Sequence, residues 1–351
     1  MESEDIPRVL ITGVTGFLGS WVLKTFLECD TEFQIRATVR DPTNEAKIGP
    51  LRESLGEKFD NVELVQADLT DAASLEQAIE GCDYVVHTAS PFPAKPPKRE
   101  EEIIKPAVEG TKAVLEACRN HNVKRLVVTS SIVAIIDYKR DMNGTVCTEE
   151  DWLEDFKSST AYPKSKTLAE KAVWEFTESL PEEVKFDAVT INPGFILGPI
   201  LVKSPFSSAD VLSKIMRGKY PGLPNIYVPM VDVRDVAEAH LRAITLNPPA
   251  GRYLVTESTY QFTFLGQTLA DEFGQYGYKP NRKMLKYCFA KFGSFFISEV
   301  KTILSQWGKN VSTSNAKAIE HLNMEFRDTK QTVIDMGYSL IDQGYVPDKR
   351  K

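Results

Sequence analysis

Short runs rich in Val and Ile recur along the first half of the chain, each followed by residues with helical spacing. The runs are Arg8 to Thr12 (RVLIT), Gln34 to Arg40 (QIRATVR), Val62 to Ala67 (VELVQA), Tyr84 to Thr88 (YVVHT), Arg125 to Thr129 (RLVVT) and Phe186 to Ile191 (FDAVTI). Between them, the apolar spacing predicts helices over Ser20 to Cys29, Asp71 to Glu80, Pro106 to His121 and Thr160 to Leu180. Compact β-rich runs separated by helices fit strands buried on both faces, the condition of a parallel sheet covered by crossover helices. Six of them predict an α/β fold with a doubly wound parallel sheet.

Two stretches interrupt this rhythm. Pro91 to Pro106 holds five prolines and the charge run KREEE, which predicts an exposed loop at a strand end. Beyond Pro193 the alternation weakens, and Tyr220 to Pro224 (YPGLP) and Asn247 to Gly251 (NPPAG) are turn-rich. Residues 1–194 therefore read as the sheet domain and 195–351 as mainly a smaller lobe, with segments near 227–245 and 253–256 returning to the main body.

Composition narrows the function classes. A hydrophobic content of 42% and a charged content of 26% over 351 residues are those of a globular chain. The net charge of −7 offers no basic surplus for nucleic acid or an anionic membrane. No apolar run reaches the roughly 18 residues of a membrane span, and the acidic start MESEDIPR is unlike a signal peptide. Five scattered cysteines without a C-x-x-C pair read as reduced thiols, so the expected compartment is the cytoplasm. Four dispersed histidines give no zinc spacing.

The candidate chemistry lies at the strand ends. The first strand runs into Thr12-Gly13-Val14-Thr15-Gly16-Phe17-Leu18-Gly19 with a helix following at once. Glycines there let backbone approach a pyrophosphate whose charge meets the helix N-terminus, so the turn predicts a dinucleotide. The second strand ends in Arg40, where NAD sites usually carry an acid; a guanidinium suits the extra phosphate of NADP, and Lys47 is close behind. Asp41 keeps NAD open. Asp68 ends the third strand and is positioned either for an adenine amino group or as a helix N-cap.

Tyr162 and Lys166 are four apart on a predicted helix and share a face. A neighbouring ammonium favours phenolate, which tunes a phenol toward acid–base work. Ser131, just past the fifth strand, is set to meet Tyr162 across a carbonyl oxygen; its neighbour Ser130 is the alternative.

In this order, TGVTGFLGSWVLKTFLE, IRATVRDP, AVEGTKAVLEAC, RLVVTSS, YPKSKTLAEKA and NPGFILGP resemble the extended short-chain dehydrogenase/reductases. The nearest branch holds dihydroflavonol reductases, cinnamoyl-CoA reductases and yeast-type ketone/methylglyoxal reductases. The resemblance covers about residues 7–245 and, weakly, Ser314 to Gly344. It implies a Rossmann domain with a C-terminal substrate-binding lobe, a Ser131–Tyr162–Lys166 triad, and hydride transfer from NADPH to an aldehyde or ketone with Tyr162 as proton donor. It further implies Gly13, Thr15, Gly16, Phe17, Leu18 and Gly19 at the cofactor, Arg40 and Lys47 at its phosphate, and Asp68 and Leu69 at adenine. Thr88, Ala89, Ser90, Pro193, Gly194, Phe195 and Ile196 fall on the nicotinamide side, with Ser208 also against the cofactor.

Departures from the branch bear on substrate. Dihydroflavonol reductases carry an Asn five residues after the catalytic Ser, where this chain has Ile136, and the cinnamoyl-CoA reductase signature N-W-Y-C-Y is absent. Neither phenylpropanoid substrate is supported. Ile135, Ile136, Phe92, Phe195, Phe206 and Tyr227 instead suggest an apolar pocket for a small to medium carbonyl compound. An epimerase, dehydratase or hydroxysteroid dehydrogenase can use the same triad, and a non-catalytic NADP sensor is the rival of another class. Leu168 to Glu178 offers a helix for a second subunit, so monomer and homodimer both stay open.

Overall fold

The computed structural model describes residues 6–90, 99–138, 144–156, 159–204, 207–293 and 303–350; Phe92 and Phe206 lie outside them. Seven described strands form one parallel sheet: β1 (Arg8–Thr12), β2 (Gln34–Val39), β3 (Val62–Gln66), β4 (Tyr84–His87), β5 (Arg125–Thr129), β7 (Asp187–Pro193) and β10 (Gly251–Val255). Their order is β3-β2-β1-β4-β5-β7-β10, so the winding reverses between β1 and β4. The crevice beyond the carboxyl ends of those two strands is where such sheets bind ligands. Strand β6 (Val146–Cys147) pairs outside this sheet with β12 (Ser312–Thr313).

Alternating side chains supply both cores. Val9 and Ile11 of β1 join Val22 and Phe26 of α1 (Phe17–Glu28) on one face, whereas Leu10 joins Val114 and Leu115 on the other. That second face is covered by α3 (Ala72–Ile79), α4 (Glu101–Asn120) and α5 (Ala161–Ser179). Helix α7 (Val233–Thr245) packs beside α1 on the first face. Beyond the sheet, β8 (Phe195–Leu197), β9 (Tyr227–Asp232) and β11 (Ser258–Gln261) form a small second sheet. With α6 (Ser207–Met216) and α8 (Thr263–Phe273) it encloses a separate apolar cluster around Leu212, Leu269, Phe273 and Met336.

Several element bounds differ from expectation. Helix α1 starts at Phe17, not Ser20, and α2 (Glu45–Leu55) stands where no helix was predicted, with Gly49 and Pro50 inside it. Helix α4 begins at Glu101, five residues before the expected start, and carries Pro106 in its sixth position. Glu101 and Glu102 complement the helix dipole there, offsetting the hydrogen bond that proline cannot donate.

Candidate active site

Thr12 ends β1, and Gly13 then takes φ +75°, a left-handed conformation that favours glycine. A Cβ at Gly13 would lie 2.9 Å from the backbone N and Cα of Ala89, so the turn rests directly on the chain leaving β4. Two bonds lock this contact: Thr88 Oγ1 donates to Thr12 O at 2.5 Å, and Ala89 N donates to Thr12 Oγ1 at 3.1 Å. Gly19 permits the same closeness from α1, where a Cβ would meet Gly13 O. Gly16 N donates back to Gly13 O at 2.9 Å, and α1 opens from Gly16 with no side-chain cap. The Phe17 side chain is committed to the lobe's apolar cluster, and Leu18 packs alongside. Thr15 is half-buried beside them.

Past β2, Arg40 is exposed, as is Lys47 in the first turn of α2. The Asp41 carboxylate is turned into its own loop, accepting from Thr43 N at 2.9 Å and Thr43 Oγ1 at 2.7 Å, and these bonds hold its pKa below the usual value. Asp68 binds Thr70 N at 2.8 Å and Thr70 Oγ1 at 2.6 Å; these bonds, aided by the nearby Arg40 charge, likewise lower its pKa. Asp68 is not the helix cap weighed as its alternative: Asp71 caps α3, accepting from Ala73 N and Ser74 N. Leu69 packs against Gly110 of α4.

Beyond β5 the two serines part. Ser130 is buried and donates to Glu170. Ser131 instead starts a 3-10 turn, accepting from Val133 N at 3.3 Å, and its hydroxyl bonds the Tyr162 hydroxyl. Tyr162 lies in the first turn of α5 with 47% of its surface exposed. Burial around the hydroxyl raises its pKa, and the Ser131 bond lowers it less. Lys166, one turn on, is buried and donates from Nζ to Thr129 O at 3.1 Å. Burial pulls its pKa down to about 8, against an opposing pull from the Glu170 charge. Thus Ser131, Tyr162 and Lys166 meet at the carboxyl end of β5, two strands from the glycine turn.

Pro193 closes β7, and Gly194 lets the chain pass the β9 backbone, where a Cβ would lie 2.6 Å from Pro229 O. Phe195 and Ile196 of β8 are half-buried, Ser90 is exposed, and Ser208 is buried on α6. Ile135 and Ile136 do not line an open pocket: both pack into a small core with Cys147, Leu254 and Val311. Phe195 and Tyr227 remain the half-buried members of the apolar set within the described residues. Among those residues no cluster of His, Cys, Asp and Glu could hold a metal, and no helix is long and apolar enough to cross a membrane.

Residues 10–262 match the model of the 3-beta hydroxysteroid dehydrogenase/isomerase family. The chain belongs to this family. It is 35% identical over 351 residues to cinnamoyl-CoA reductase 1 of Petunia hybrida, covering 99% of this chain and 96% of that protein. Among solved structures it is similar to Gre2 of Candida albicans in complex with NADPH, with a TM-score of 0.79, 27% identity and coverage of 96% of this chain and 99% of that one. It is also similar to vestitone reductase of alfalfa, with a TM-score of 0.72, 28% identity and coverage of 97% and 99%. The family match takes in both sheets except Arg8 and Val9 of β1, and the fold is that of the extended short-chain dehydrogenase/reductases.

The residues present fit a dinucleotide, as this family requires. The cradle at Gly13 and Gly19 has no room for a Cβ, the start of α1 lacks a side-chain cap, and Arg40 stands exposed where an acid would select NAD. Sequence reasoning missed a second group of residues. Thr190, Asn192, Glu170 and Arg252 form a buried polar network directly beneath the serines. The spacing Tyr162–Lys166–Glu170 on one helix face was the signal that could have found it.

Proposed function

We propose that this chain reduces an aldehyde or ketone to an alcohol with NADPH, using Ser131, Tyr162 and Lys166. The observation that carries this reading is the meeting of those three residues at the carboxyl end of β5, on the same edge of the sheet as the glycine turn and two strands from it. NADPH, when bound, supplies the hydride. Arg40 and Lys47 would hold its additional phosphate, and the Gly13–Gly19 turn its pyrophosphate. Asp68 and Leu69 are suited to the adenine side; Thr88, Ala89, Ser90 and Pro193 to Ile196 are suited to the nicotinamide side. The NADPH complex of the similar Gre2 protein supports the choice of cofactor.

Ser131 donates a hydrogen bond to the substrate carbonyl oxygen and fixes it against Tyr162. Tyr162 holds its proton at neutral pH, since burial raises its pKa, and gives that proton to the oxygen as the carbonyl is reduced. The Lys166 ammonium favours the phenolate left behind and so assists the transfer. Half-buried Phe195 and Tyr227, from the lobe side, fit a largely apolar substrate of small to medium size. In this division the sheet domain binds cofactor and the lobe binds substrate.

The test is Tyr162→Phe with a panel of carbonyl compounds, following NADPH absorbance and, separately, NADPH binding. We expect kcat to fall by about 10²–10⁴-fold while NADPH affinity stays near that of the wild type. Turnover close to the wild-type rate overturns the role of Tyr162. Tight NADPH binding by the wild type with no turnover on any carbonyl compound overturns the enzyme reading in favour of a sensor.

A further inference from the structure

Glu170 is 1% exposed, yet both carboxylate oxygens are fully engaged. Oε1 accepts from Thr190 Oγ1 at 2.9 Å and Arg252 Nε at 2.6 Å; Oε2 accepts from Ser130 Oγ at 2.5 Å and Asn192 Nδ2 at 2.8 Å. All four partners donate to the carboxylate, an arrangement that suits a fixed negative charge. Arg252 approaches from β10, its guanidinium stacked 3.6 Å from the Trp152 ring centre and bonded to Glu149 O and Asp151 O. The pair therefore forms an oriented dipole with its negative end on α5, one turn from Lys166. Lys166 is not bonded to Glu170; both line a cavity of about 20 Å³ with His87, Thr111 and Ser130.

We propose that Glu170 is a positioning residue: its buried charge, anchored by Arg252, keeps Lys166 an ammonium and braces the Ser130–Ser131 turn that faces Tyr162. A buried ion pair adds little stability over an apolar pair of equal volume, so its presence here calls for a local reason. Two observations supply one. Asn192 Nδ2, bonded to Glu170, also donates to Ser131 O at 3.3 Å, so the same carboxylate steadies the serine's main chain. The charged or titratable groups near Lys166 are Tyr162 and Glu170 on α5, His87 on β4 and, behind Glu170, Arg252 on β10; α4, β5 and β7 contribute neutral groups. His87 is kept neutral by burial, which also brings its pKa down to about 4, so Glu170 is the anion that opposes the desolvation of Lys166.

This inference rests on the reductase reading for the purpose of the charge, but not for its existence. Protein labelled with ε-¹³C-lysine, without cofactor, reports the Lys166 titration directly, the signal being assigned by its loss in Lys166→Arg. Glu170→Gln should lower the Lys166 midpoint by about one pH unit or more, and Arg252→Met, which leaves Glu170 uncompensated, should raise it. If Glu170→Gln does not fold, the double variant Glu170→Gln/Arg252→Met leaves no charge unpaired and should keep the downward shift. Midpoints that stay put, or that move the same way in both single variants, overturn the proposal. The alkaline limb of kcat/KM for carbonyl reduction should follow the Lys166 midpoint. A midpoint that moves while the limb does not leaves the Glu170 field intact and overturns the part given to Lys166 in the reaction.

Discussion

Arg40 concentrates the cofactor question in one side chain. It is exposed, while the neighbouring acid that would favour NAD, Asp41, spends its carboxylate on Thr43. A charge-assisted bond of roughly 1.5–3 kcal/mol corresponds to about 10–100-fold in affinity. Arg40→Ala should therefore raise the KM for NADPH by about that factor and leave NADH turnover unchanged. Equal losses with both cofactors, measured side by side as kcat/KM, would remove Arg40 from phosphate recognition. The serines show where sequence stops being decisive at this scale. Consecutive residues of an extended chain face opposite ways, so Ser130 and Ser131 had to part, but nothing in TSS says which one turns inward. The choice depends on Glu170, 40 residues further along, whose carboxylate takes the Ser130 hydroxyl. Ile136 carries the same lesson: its apolar character was legible, its burial against Leu254 and Val311 from the far end of the chain was not.

Elements were legible where one signal dominated. The Arg8–Thr12 and Arg125–Thr129 strands fall where their apolar runs begin and end, because each is buried between two helical layers. Helix α2 was hidden by Gly49-Pro50, a pair that reads as a turn. What holds it is tertiary, since Ile48, Leu51 and Leu55 are buried in the core beside α1. The junction between β9 and α7 was also beyond local reading, for its key residue works at long range. Asp232 caps α7 through Arg234 N, pairs with the Arg234 guanidinium at 2.6 Å, and accepts from Thr332 Oγ1 at 2.7 Å. It thereby ties the helix that covers the sheet to the C-terminal helix Thr329–Asp342. Asp232→Ala removes the cap and the Thr332 partner, while Arg234 keeps Asp335 at 2.7 Å. A loss of about 2–3 kcal/mol in unfolding free energy is expected. A urea midpoint equal to that of the wild type would show that the junction does not depend on this carboxylate.

Across the whole molecule, acid should dismantle the fold and the site together. His87 and His240 are fully buried, and burial lowers both pKa values from 6.5 to about 4. His240 Nδ1 donates to Val236 O at 2.7 Å, so in the neutral ring Nε2 accepts from Thr129 Oγ1 at 2.7 Å. Because the folded pKa is depressed, the unfolded chain takes up a proton at each histidine before the folded chain does. Stability is therefore fully present above about pH 6.5 and falls as the pH drops toward 4, by about 3 kcal/mol for each ring. Lys166 works on the other side: with its pKa lowered to about 8, the cost of burying its charge is relieved as pH rises from there toward 10.5. Thr129 joins the two effects, since its hydroxyl serves His240 on the α7 face and its carbonyl holds Lys166 on the α5 face. The expected result is that unfolding free energy between pH 6.5 and 4.5 has about twice the slope in the wild type that it has in His240→Gln. Carbonyl reduction in the wild type should be lost over the same interval as the fold. Equal slopes in the two proteins would show that His240 is not a source of the acid transition, and activity lost well before any unfolding would separate the site from the strand end that carries it.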